Sequence, residues 1–386
     1  MPLHPDRVEI ARYLLSRGLD PIDLVPSAQE MVPMMAAMAA ATSPPKFPSG
    51  MAPKAAPLSP EPGPTRQLPK ADVVVVTWTV DELAGLARVF TPGMSPAQWY
   101  PYARDFSSYR PHIRPRAPAA ASKRLGSYML STVGDTTVLC VKSELHLNQD
   151  GVKTGDGTAT LPVKDFFQQL IREAQPSLVL TVGTAGSVFD EFRLGDVVVT
   201  RAAKFRLGDE FRNEAFNHQT FVSDWALPTG KLKTATRLMR DFASELTEPP
   251  FGPPTSQFGF SGPLLTTPAS KPAIRLELGG RDMPEFHPIL TTDFFEYGTT
   301  ANRLDREGAA VEMGDAVLGL ACSELADPPH WAVVRNMSDP VINGDLPARE
   351  FHLNTQTTWA VGYYTAYGKW TSIIGALATW GIIAGL

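Results

Sequence analysis

Short apolar runs alternate with segments of helical periodicity over most of this chain. Continuous apolar runs indicate buried strands, and apolar positions three or four residues apart indicate helices that bury one face. The predicted strands are 72–77, 128–133, 136–142, 178–182, 197–200 and 331–335, of which the second and third form a hairpin around Gly134-Asp135. The predicted helices are 81–90, 163–174, 233–245, 309–325 and 355–385. This alternation favours a mixed or parallel sheet with helices on both faces.

The first 70 residues differ in composition from the rest of the chain. Residues 1–41 have a helical pattern that predicts an N-terminal helical extension, and their charged first half is unlike a signal peptide. Residues 42–70 contain nine prolines. Because proline lacks the backbone N–H that a helix needs, we expect an extended linker there. The main domain is therefore predicted at 71–386, with inserts near 91–125 and 203–285.

The C-terminal segment 359–386 is strongly apolar and carries a single charge, Lys369. Its length is close to the roughly 20 residues that a membrane-spanning helix needs, so a membrane anchor is one alternative. Its Gly, Thr and Ser content and the lack of a flanking basic cluster favour a helix buried on the sheet or in a subunit interface.

Composition narrows the function classes. With 43% hydrophobic and 19% charged residues and a formal net charge of −5, the 386-residue chain has no electrostatic basis for binding nucleic acid. The two cysteines, Cys140 and Cys322, lie in apolar segments, which excludes a disulfide scaffold and favours a reducing, cytoplasmic location. The sequence has no zinc-site spacing, P-loop or dinucleotide fingerprint, so we expect no metal and no cofactor. A loose basic stretch over 110–124 is typical of a solvated loop, or alternatively contacts a substrate phosphate.

The most informative segment is 177–200, SLVLTVGTAGSVFDEFRLGDVVVT. An apolar strand there is predicted to end in a turn of small residues, Gly183-Thr184-Ala185-Gly186. Glycine lets the main chain approach another group closely, so backbone N–H groups of this turn would be reachable by a ligand. A small-molecule site is therefore expected at the carboxyl end of this strand.

Four segments, in this order along the chain, resemble the nucleoside phosphorylase/nucleosidase superfamily. They are VVVVTWTVDELAGLARVF at 73–90, the turn at 182–187 followed by a G-D-hydrophobic strand, LTTDFFEYG at 290–298, and the pair VEMGDAV at 311–317 and VVRNMSDPV at 333–341. The pattern is most similar to the methylthioadenosine/S-adenosylhomocysteine nucleosidases and spans most of residues 71–345. The resemblance implies a three-layer α/β/α fold with a mixed central sheet, and a homo-oligomer.

The resemblance also implies roles for individual residues. Glu82 would hold the attacking water, and Asp339 would protonate the departing purine. The residues that would bind substrate are Thr184, Ala185 and Gly186 for base and ribose, Phe294 or Phe295 for stacking on the base, and Glu312, Met313, Asp315 and Ser338 around the sugar. Breaking an N-glycosidic bond makes an electron-poor sugar and an electron-rich base, so one carboxyl group that orients water and one that donates a proton suit the reaction.

Each assignment has a structural alternative. Glu82 follows Thr79 by three residues, which is the spacing of a helix capping box. Asp339 precedes Pro340 and could start a turn. The phenylalanines and Met313 are also typical core residues, and His146 is either a polar site residue or a loop histidine.

Two departures from the superfamily pattern bear on the chemistry. Gly314 stands where the family has a carboxylate that binds the ribose diol, and Asp315, one residue on, is rotated by about 100° on a helix. The diol would then be held differently, or the sugar is modified, or turnover is impaired. The segment 77–83 carries carboxylates and no arginine, which favours water over phosphate as nucleophile.

The predicted function is hydrolysis of the N-glycosidic bond of a purine nucleoside or related nucleotide. Two alternatives remain open. One is a phosphorylase, which is a glycosyltransferase that would bind phosphate with an arginine from an insert. The other is a nucleoside-binding effector module with little turnover.

Overall fold

The sheet at the centre of this fold contains every strand in the described part of the chain. A computed structural model of the protein describes residues 45–189, 192–244, 271–277, 287–294, 304–340 and 355–386. These residues form a mixed sheet of 13 strands. The strands are β1 Lys54–Ala55, β2 Val73–Thr77, β3 Tyr100–Tyr102, β4 Gly126–Val133, β5 Thr136–Ser143, β6 Leu178–Ser187, β7 Val197–Thr200, β8 Ala202–Phe205, β9 Thr220–Val222, β10 Ile274–Glu277, β11 Ile289–Thr291, β12 Ala310–Glu312 and β13 His330–Pro340.

Helices connect and cover these strands, as the predicted α/β class requires. They are α1 Val80–Phe90, α2 Phe106–Tyr109, α3 Pro118–Ser122, α4 Leu147–Asp150, α5 Pro162–Ala174, α6 Leu232–Ala243, α7 Asp315–Ser323 and α8 Thr355–Ile383. The predicted fold class is confirmed, and the hairpin of β4 and β5 forms as expected.

Parallel pairing brings the ends of the central strands to one edge of the sheet. β2 runs parallel to β5 on one side and to β6 on the other, and β13 also runs parallel to β6. The carboxyl ends of all four strands therefore lie at the same edge, where ligands bind in open α/β sheets. The segments that follow β2 and β5, and the last residues of β6 and β13, are placed at this edge by topology alone.

The predicted turn at 183–186 is wrong, because β6 continues through it to Ser187. β13 pairs with β6 along its full length, with a register shift between Met337 and Asp339. In addition, β12 pairs antiparallel with Gly186 and Ser187. β12 and β13 thus supply the hydrogen-bond partners that keep this segment extended, and the small residues of the segment give no sign of these partners in the sequence.

The predicted helix 309–325 is also partly wrong. Its first residues, Ala310–Glu312, form β12, and the helix begins only at Asp315. β12 pairs parallel with β11, which lies more than fifteen residues earlier in the chain. A short, fully buried apolar run has no periodicity that separates strand from helix, so the tertiary partner decides.

The C-terminal helix α8 is buried within the chain, as one of the two alternatives predicted. It packs against α1, α6, β6 and β13, and its residues from Tyr367 to Ile383 are almost all buried. An apolar surface on all sides of a helix is typical of such a core position. None of the helices in the described ranges is both long and apolar enough to cross a membrane.

Part of the predicted linker lies against the domain. β1 pairs antiparallel with β4, and the Leu68 N–H donates to the Glu173 carboxylate at 2.7 Å. Phe47 packs on the ring of Trp380, whose Nε1 donates to the Met51 carbonyl at 2.8 Å. The predicted extension 1–41 lies outside the described residues, and the division into domains stays a prediction.

Candidate active site

Glu82 lies in the first turn of α1, where it caps the helix. Its Oε2 accepts hydrogen bonds from the backbone N–H groups of Trp78 and Thr79, at 3.0 and 2.9 Å, and from the Thr77 hydroxyl at 3.0 Å. The Thr79 side chain in turn accepts the Glu82 N–H, which completes a capping box. The structural alternative for Glu82 is therefore present in the fold.

The second carboxylate oxygen of Glu82 makes contacts outside the helix cap. Oε1 reaches β6, where it accepts the backbone N–H and the hydroxyl of Thr184 at 2.7 and 2.9 Å, and it lies 4.0 Å from Nη1 of Arg335. Burial alone would raise the Glu82 pKa, but the Arg335 charge and the backbone N–H donors outweigh burial and hold this pKa below its ordinary value. A buried, ionised carboxylate thus stands at the carboxyl edge of the sheet.

Arg335 is the residue that sequence reasoning missed. It lies on β13 with 3% of its side chain exposed, and its guanidinium stacks on the Trp78 ring at 5.0 Å. Nε donates to Asp315 Oδ2 at 2.7 Å, Nη2 lies 3.1 Å from Glu312 Oε2, and Nη1 donates to the Thr184 carbonyl at 3.2 Å. An arginine inside the apolar run WAVVRNM was the available signal, because a buried arginine needs carboxylate partners.

The glycine at 183 is explained by these two side chains. A Cβ built on Gly183 would collide with Nη1 of Arg335 and come within 2.5 Å of Glu82 Oε1. The absence of a side chain at this position therefore admits two charged groups from neighbouring elements. The sequence of this segment predicts glycines that admit a ligand, whereas at Gly183 the close approach is made by side chains of the protein itself.

Glu312 and Asp315 complete the charged group. Glu312 Oε1 accepts the Asp315 N–H at 2.9 Å and the Thr291 hydroxyl. Burial and the nearby Asp315 charge raise the Glu312 pKa to about 8, against the opposing effect of Arg335. The fully buried Asp315 gives both carboxylate oxygens to Arg335. We call Glu82, Glu312, Asp315, Arg335 and the indole of Trp78 the Arg335 cluster.

Gly314, the departure noted in the sequence, borders this cluster. Its backbone φ is −172°, an extended value that any residue adopts, so space rather than conformation selects glycine. A Cβ at Gly314 would lie 3.1 Å from Cζ2 of Trp78. The indole therefore fills the volume that a side chain at 314 would need.

The other residues predicted for the substrate site are distributed around this edge. Ala185 is buried on β6, and Ser338 is buried on β13. The half-buried Met313 has its Sδ 3.1 Å from Nδ2 of Asn148, in the segment after β5. The ring of Phe294 lies against Gly208, and Phe295 lies outside the described residues.

The backbone of Asp339 lies near the end of β13. In the register of β13 and β6 it pairs with Gly186, two residues beyond the Thr184 that Glu82 contacts. The two carboxylic residues chosen from the sequence thus belong to the same edge of the sheet. The roles assigned to both remain predictions.

His146 and the basic stretch both have intramolecular partners. The His146 N–H donates to Asp150 Oδ2 at 2.6 Å, and the ring Nδ1 lies 3.7 Å from the same oxygen. Within the basic stretch, Arg124 pairs with Glu144, which also binds the buried Lys142. Arg114 donates to the Gly151 carbonyl and pairs with Glu210.

Comparison with known proteins assigns the family. The family model described as the phosphorylase superfamily matches residues 152–360, more than half of the chain. The chain belongs to the phosphorylase superfamily. The resemblance predicted from the four sequence segments is thereby confirmed at the level of the superfamily.

Solved structures similar to this superfamily member include two nucleosidases and a futalosine hydrolase. A 5'-methylthioadenosine/S-adenosylhomocysteine nucleosidase from Neisseria meningitidis, in complex with methylthio-immucillin-A, is 15% identical and has a TM-score of 0.43, covering 82% of this chain and 100% of its own. A point mutant of the Helicobacter pylori enzyme, with 5'-methylthioadenosine in its active site, is 12% identical with a TM-score of 0.45, covering 82% and 99%. Futalosine hydrolase of Helicobacter pylori is 10% identical with a TM-score of 0.44, covering 81% and 97%. No curated protein matches the sequence.

The Arg335 cluster carries an excess of negative charge. Its three carboxyl groups face one guanidinium. The net charge of the cluster therefore stays negative even at a pH where Glu312 is protonated, because Glu82 and Asp315 together outweigh Arg335. A negative, buried cluster repels a phosphate ion and is compatible with a neutral water molecule. Among the residues that the structure describes, no group of three or more His, Cys, Asp and Glu side chains is arranged to hold a metal ion.

Proposed function

We propose that this chain hydrolyses the N-glycosidic bond of a purine nucleoside or a related nucleotide, with water as the nucleophile. The observation that carries the proposal is the Glu82 carboxylate, which is buried, held ionised and bonded to Thr184 at the carboxyl edge of the sheet. An ionised carboxylate at this place can orient water toward the sugar carbon as positive charge develops there. Membership of the phosphorylase superfamily supports the same reaction class.

In this proposal Asp339 is the acid that protonates the departing base. The pairing of its backbone with Gly186 supports a role at the same edge as Glu82. Along the substrate, Thr184, Ala185 and Gly186 line base and ribose, Phe294 or Phe295 stacks on the base, and Glu312, Met313 and Ser338 lie around the sugar. Asp315 was also expected at the sugar, but both of its oxygens bind Arg335, so we assign it to that arginine instead.

Phosphorolysis is the second candidate, and one observation favours it. At the end of β5, the Glu144 carboxylate is shared by two cations, Lys142 and the insert residue Arg124, which leaves one positive charge in excess. The negative Arg335 cluster includes Glu82 itself and argues for water. The experiment must therefore distinguish water from phosphate as the nucleophile.

The test measures release of free base from purified protein with a panel of purine nucleosides and nucleotides that differ at the 5′ position, with and without phosphate. We expect release without phosphate, and a loss of about a hundredfold or more in Asp339→Asn and in Glu82→Gln. Glutamine keeps an oxygen that can accept the capping hydrogen bonds, so Glu82→Gln separates the reaction from the cap.

The remaining outcomes decide between the alternatives. Release that requires phosphate would establish phosphorolysis. Binding of nucleosides without release by the wild type would favour an effector module. Equal release by the wild type and Asp339→Asn would reject Asp339 as the acid.

A further inference from the structure

We propose that Asp315 is a positioning residue, which holds the Arg335 guanidinium away from Glu82 and so keeps the Glu82 carboxylate out of a direct ion pair. This inference rests on the proposed function, in which Glu82 orients the nucleophile. Asp315 follows Gly314, the position at which the sequence departs from the superfamily pattern. In this inference Asp315 positions Arg335 and does not bind the sugar.

The first support is how Arg335 divides its donors. Nε and Nη2 both go to the Asp315 carboxylate, a two-point contact that fixes the plane of the guanidinium as well as its distance. Nη1 is directed to the Thr184 carbonyl at 3.2 Å. Nη1 of Arg335 lies 4.0 Å from Oε1 of Glu82, which is too long for a hydrogen bond.

The second support is that Asp315 is itself fixed. It is the first residue of α7, where the helix dipole favours a negative side chain, and its N–H donates to Glu312 Oε1 at 2.9 Å. The next N–H along the helix, that of Ala316, donates to the Thr291 hydroxyl at 2.8 Å. These hydrogen bonds hold the backbone of Asp315 in place, so its carboxylate meets the guanidinium in a defined position.

The third support is that no other member of the cluster can replace Asp315 in this position. Glu312 has one contact with the guanidinium, at 3.1 Å, and its other oxygen is occupied by Asp315 N–H and Thr291. The Trp78 face packs on the guanidinium at 5.0 Å but provides no acceptor in its plane. If Asp315 lost its charge, the guanidinium would lose its two-point contact; Nη2 would keep its place near Glu312, and Nη1 would be drawn across the 4.0 Å gap to the ionised Glu82 carboxylate.

Asp315→Asn tests this chain of contacts. We expect the kcat for base release to fall by about tenfold to a hundredfold while KM changes little, because bound substrate is not contacted by Asp315. We also expect the acidic limb of the kcat–pH profile to move to lower pH, since a direct Arg335 pair stabilises ionised Glu82 further. The substitution leaves in place the other charged groups on the elements around Glu82, which are Asp81 and Arg88 on its own helix, Lys142 on β5, Glu312 on β12, Asp339 on β13 and Lys369 on α8.

Two further variants separate positioning from simple stability. Asp315→Glu keeps the negative charge and should recover part of kcat and return the acidic limb toward the wild-type position. Glu324→Gln removes a half-exposed carboxylate at the other end of α7 and should leave kcat and the pH profile unchanged. Loss of kcat in Asp315→Asn with an unmoved acidic limb would mean a merely structural role and would overturn the inference.

A crystal structure of Asp315→Asn provides a readout that needs no activity. We expect a guanidinium nitrogen of Arg335 within about 3 Å of the Glu82 carboxylate. Retention of the wild-type separation would overturn the positioning role. If Asp315→Asn does not fold, Asp315→Glu is crystallised instead, and a guanidinium nitrogen within hydrogen-bond distance of Glu82 with unchanged kcat would count against the inference. Absence of base release by the wild type would instead reject the proposed function, and the structural comparison would still decide the role of Asp315.

Discussion

At the scale of single residues, two buried carboxyl groups of the Arg335 cluster have opposite pKa shifts. Burial raises both, but Glu82 has several backbone N–H donors and Arg335 beside it, and its pKa ends below the ordinary value. Glu312 has the Asp315 charge beside it, and its pKa rises to about 8. Pairs of carboxyl groups separated in this way are typical of sites that handle protons or water. Here the two pKa values separate because Glu312 lies beside the Asp315 charge, whereas Glu82 accepts more backbone N–H groups.

Glu312 makes a pH-dependent contribution to stability. A carboxyl group whose pKa is about 8 in the folded protein and near 4.5 in the unfolded chain holds its proton only when folded between these values. The free energy of unfolding therefore decreases as pH rises through this range. Glu312→Gln mimics the protonated form, so we expect its melting temperature, relative to wild type, to increase steadily from about pH 5 to about pH 8.

The measurement is thermal unfolding of both proteins across this pH range. Thr291→Val, which removes the hydroxyl bonded to Glu312 but leaves the titrating carboxyl group, is the control; its stability should still decrease with rising pH, over a range that extends to higher pH because that hydrogen bond lowers the Glu312 pKa. A constant difference in melting temperature between Glu312→Gln and wild type would show that Glu312 is ionised throughout.

At the scale of elements, β6 is the strand on which the site is built. It pairs with β2, β13 and β12, and its Thr184 offers an N–H and a hydroxyl to Glu82 and a carbonyl to Arg335. Gly183 beside it has no side chain, and two charged side chains from different elements meet over this position. The small residues of this segment thus serve the packing of a strand.

Gly183→Ala is expected to disrupt this arrangement. The added methyl group would overlap with Arg335 and Glu82, both buried, so we expect a loss of about 1–3 kcal/mol of stability together with a reduced rate of base release. Gly230→Ala is the matched control, because nothing lies within 4 Å of a Cβ there and no positive φ is involved. Chemical denaturation and base release are measured for both, and equal behaviour of the two variants would contradict the account of Gly183.

Sequence patterns predicted the elements with local signals and missed those that depend on distant partners. β2 with α1, the β4–β5 hairpin, α5 and α8 have apolar runs or periodicity of their own, and they form as expected. β12 and the continuation of β6 are short or glycine-rich, and strands far away in the chain decide their state.

The candidate site divides in the same way. Glu82, Thr184, Glu312 and Asp315 were chosen from the sequence and lie together. Arg335 was not chosen, because its importance comes from three carboxyl groups that are remote in sequence. The resemblance supplied residues by position in a motif, whereas the partners of a buried charge are visible only in three dimensions.

At the scale of the whole molecule, the last helix supports the helix that carries Glu82. α8 packs along α1, and the Tyr364 hydroxyl donates to the Thr79 hydroxyl at 2.8 Å, at the N-cap of α1. Gly85, one turn after Glu82, allows this approach, since a Cβ there would lie 2.7 Å from the backbone of Ser372. The C-terminal helix therefore contacts both the N-cap and the first turns of the helix that carries Glu82.

Gly85→Ala tests this long-range dependence. Because the atom met by the new methyl group is backbone, α8 must shift as a unit, and we expect a loss of about 1–3 kcal/mol of stability. α1 and its Glu82 carboxylate would be displaced from Thr184, so the rate of base release should fall although the substitution touches no group of the Arg335 cluster. Gly63→Ala, where nothing lies within 4 Å of the added Cβ, is the control and should match wild type in both measurements. If Gly85→Ala lost stability but kept the wild-type rate in its folded fraction, the packing of α8 would support the fold without setting the position of Glu82.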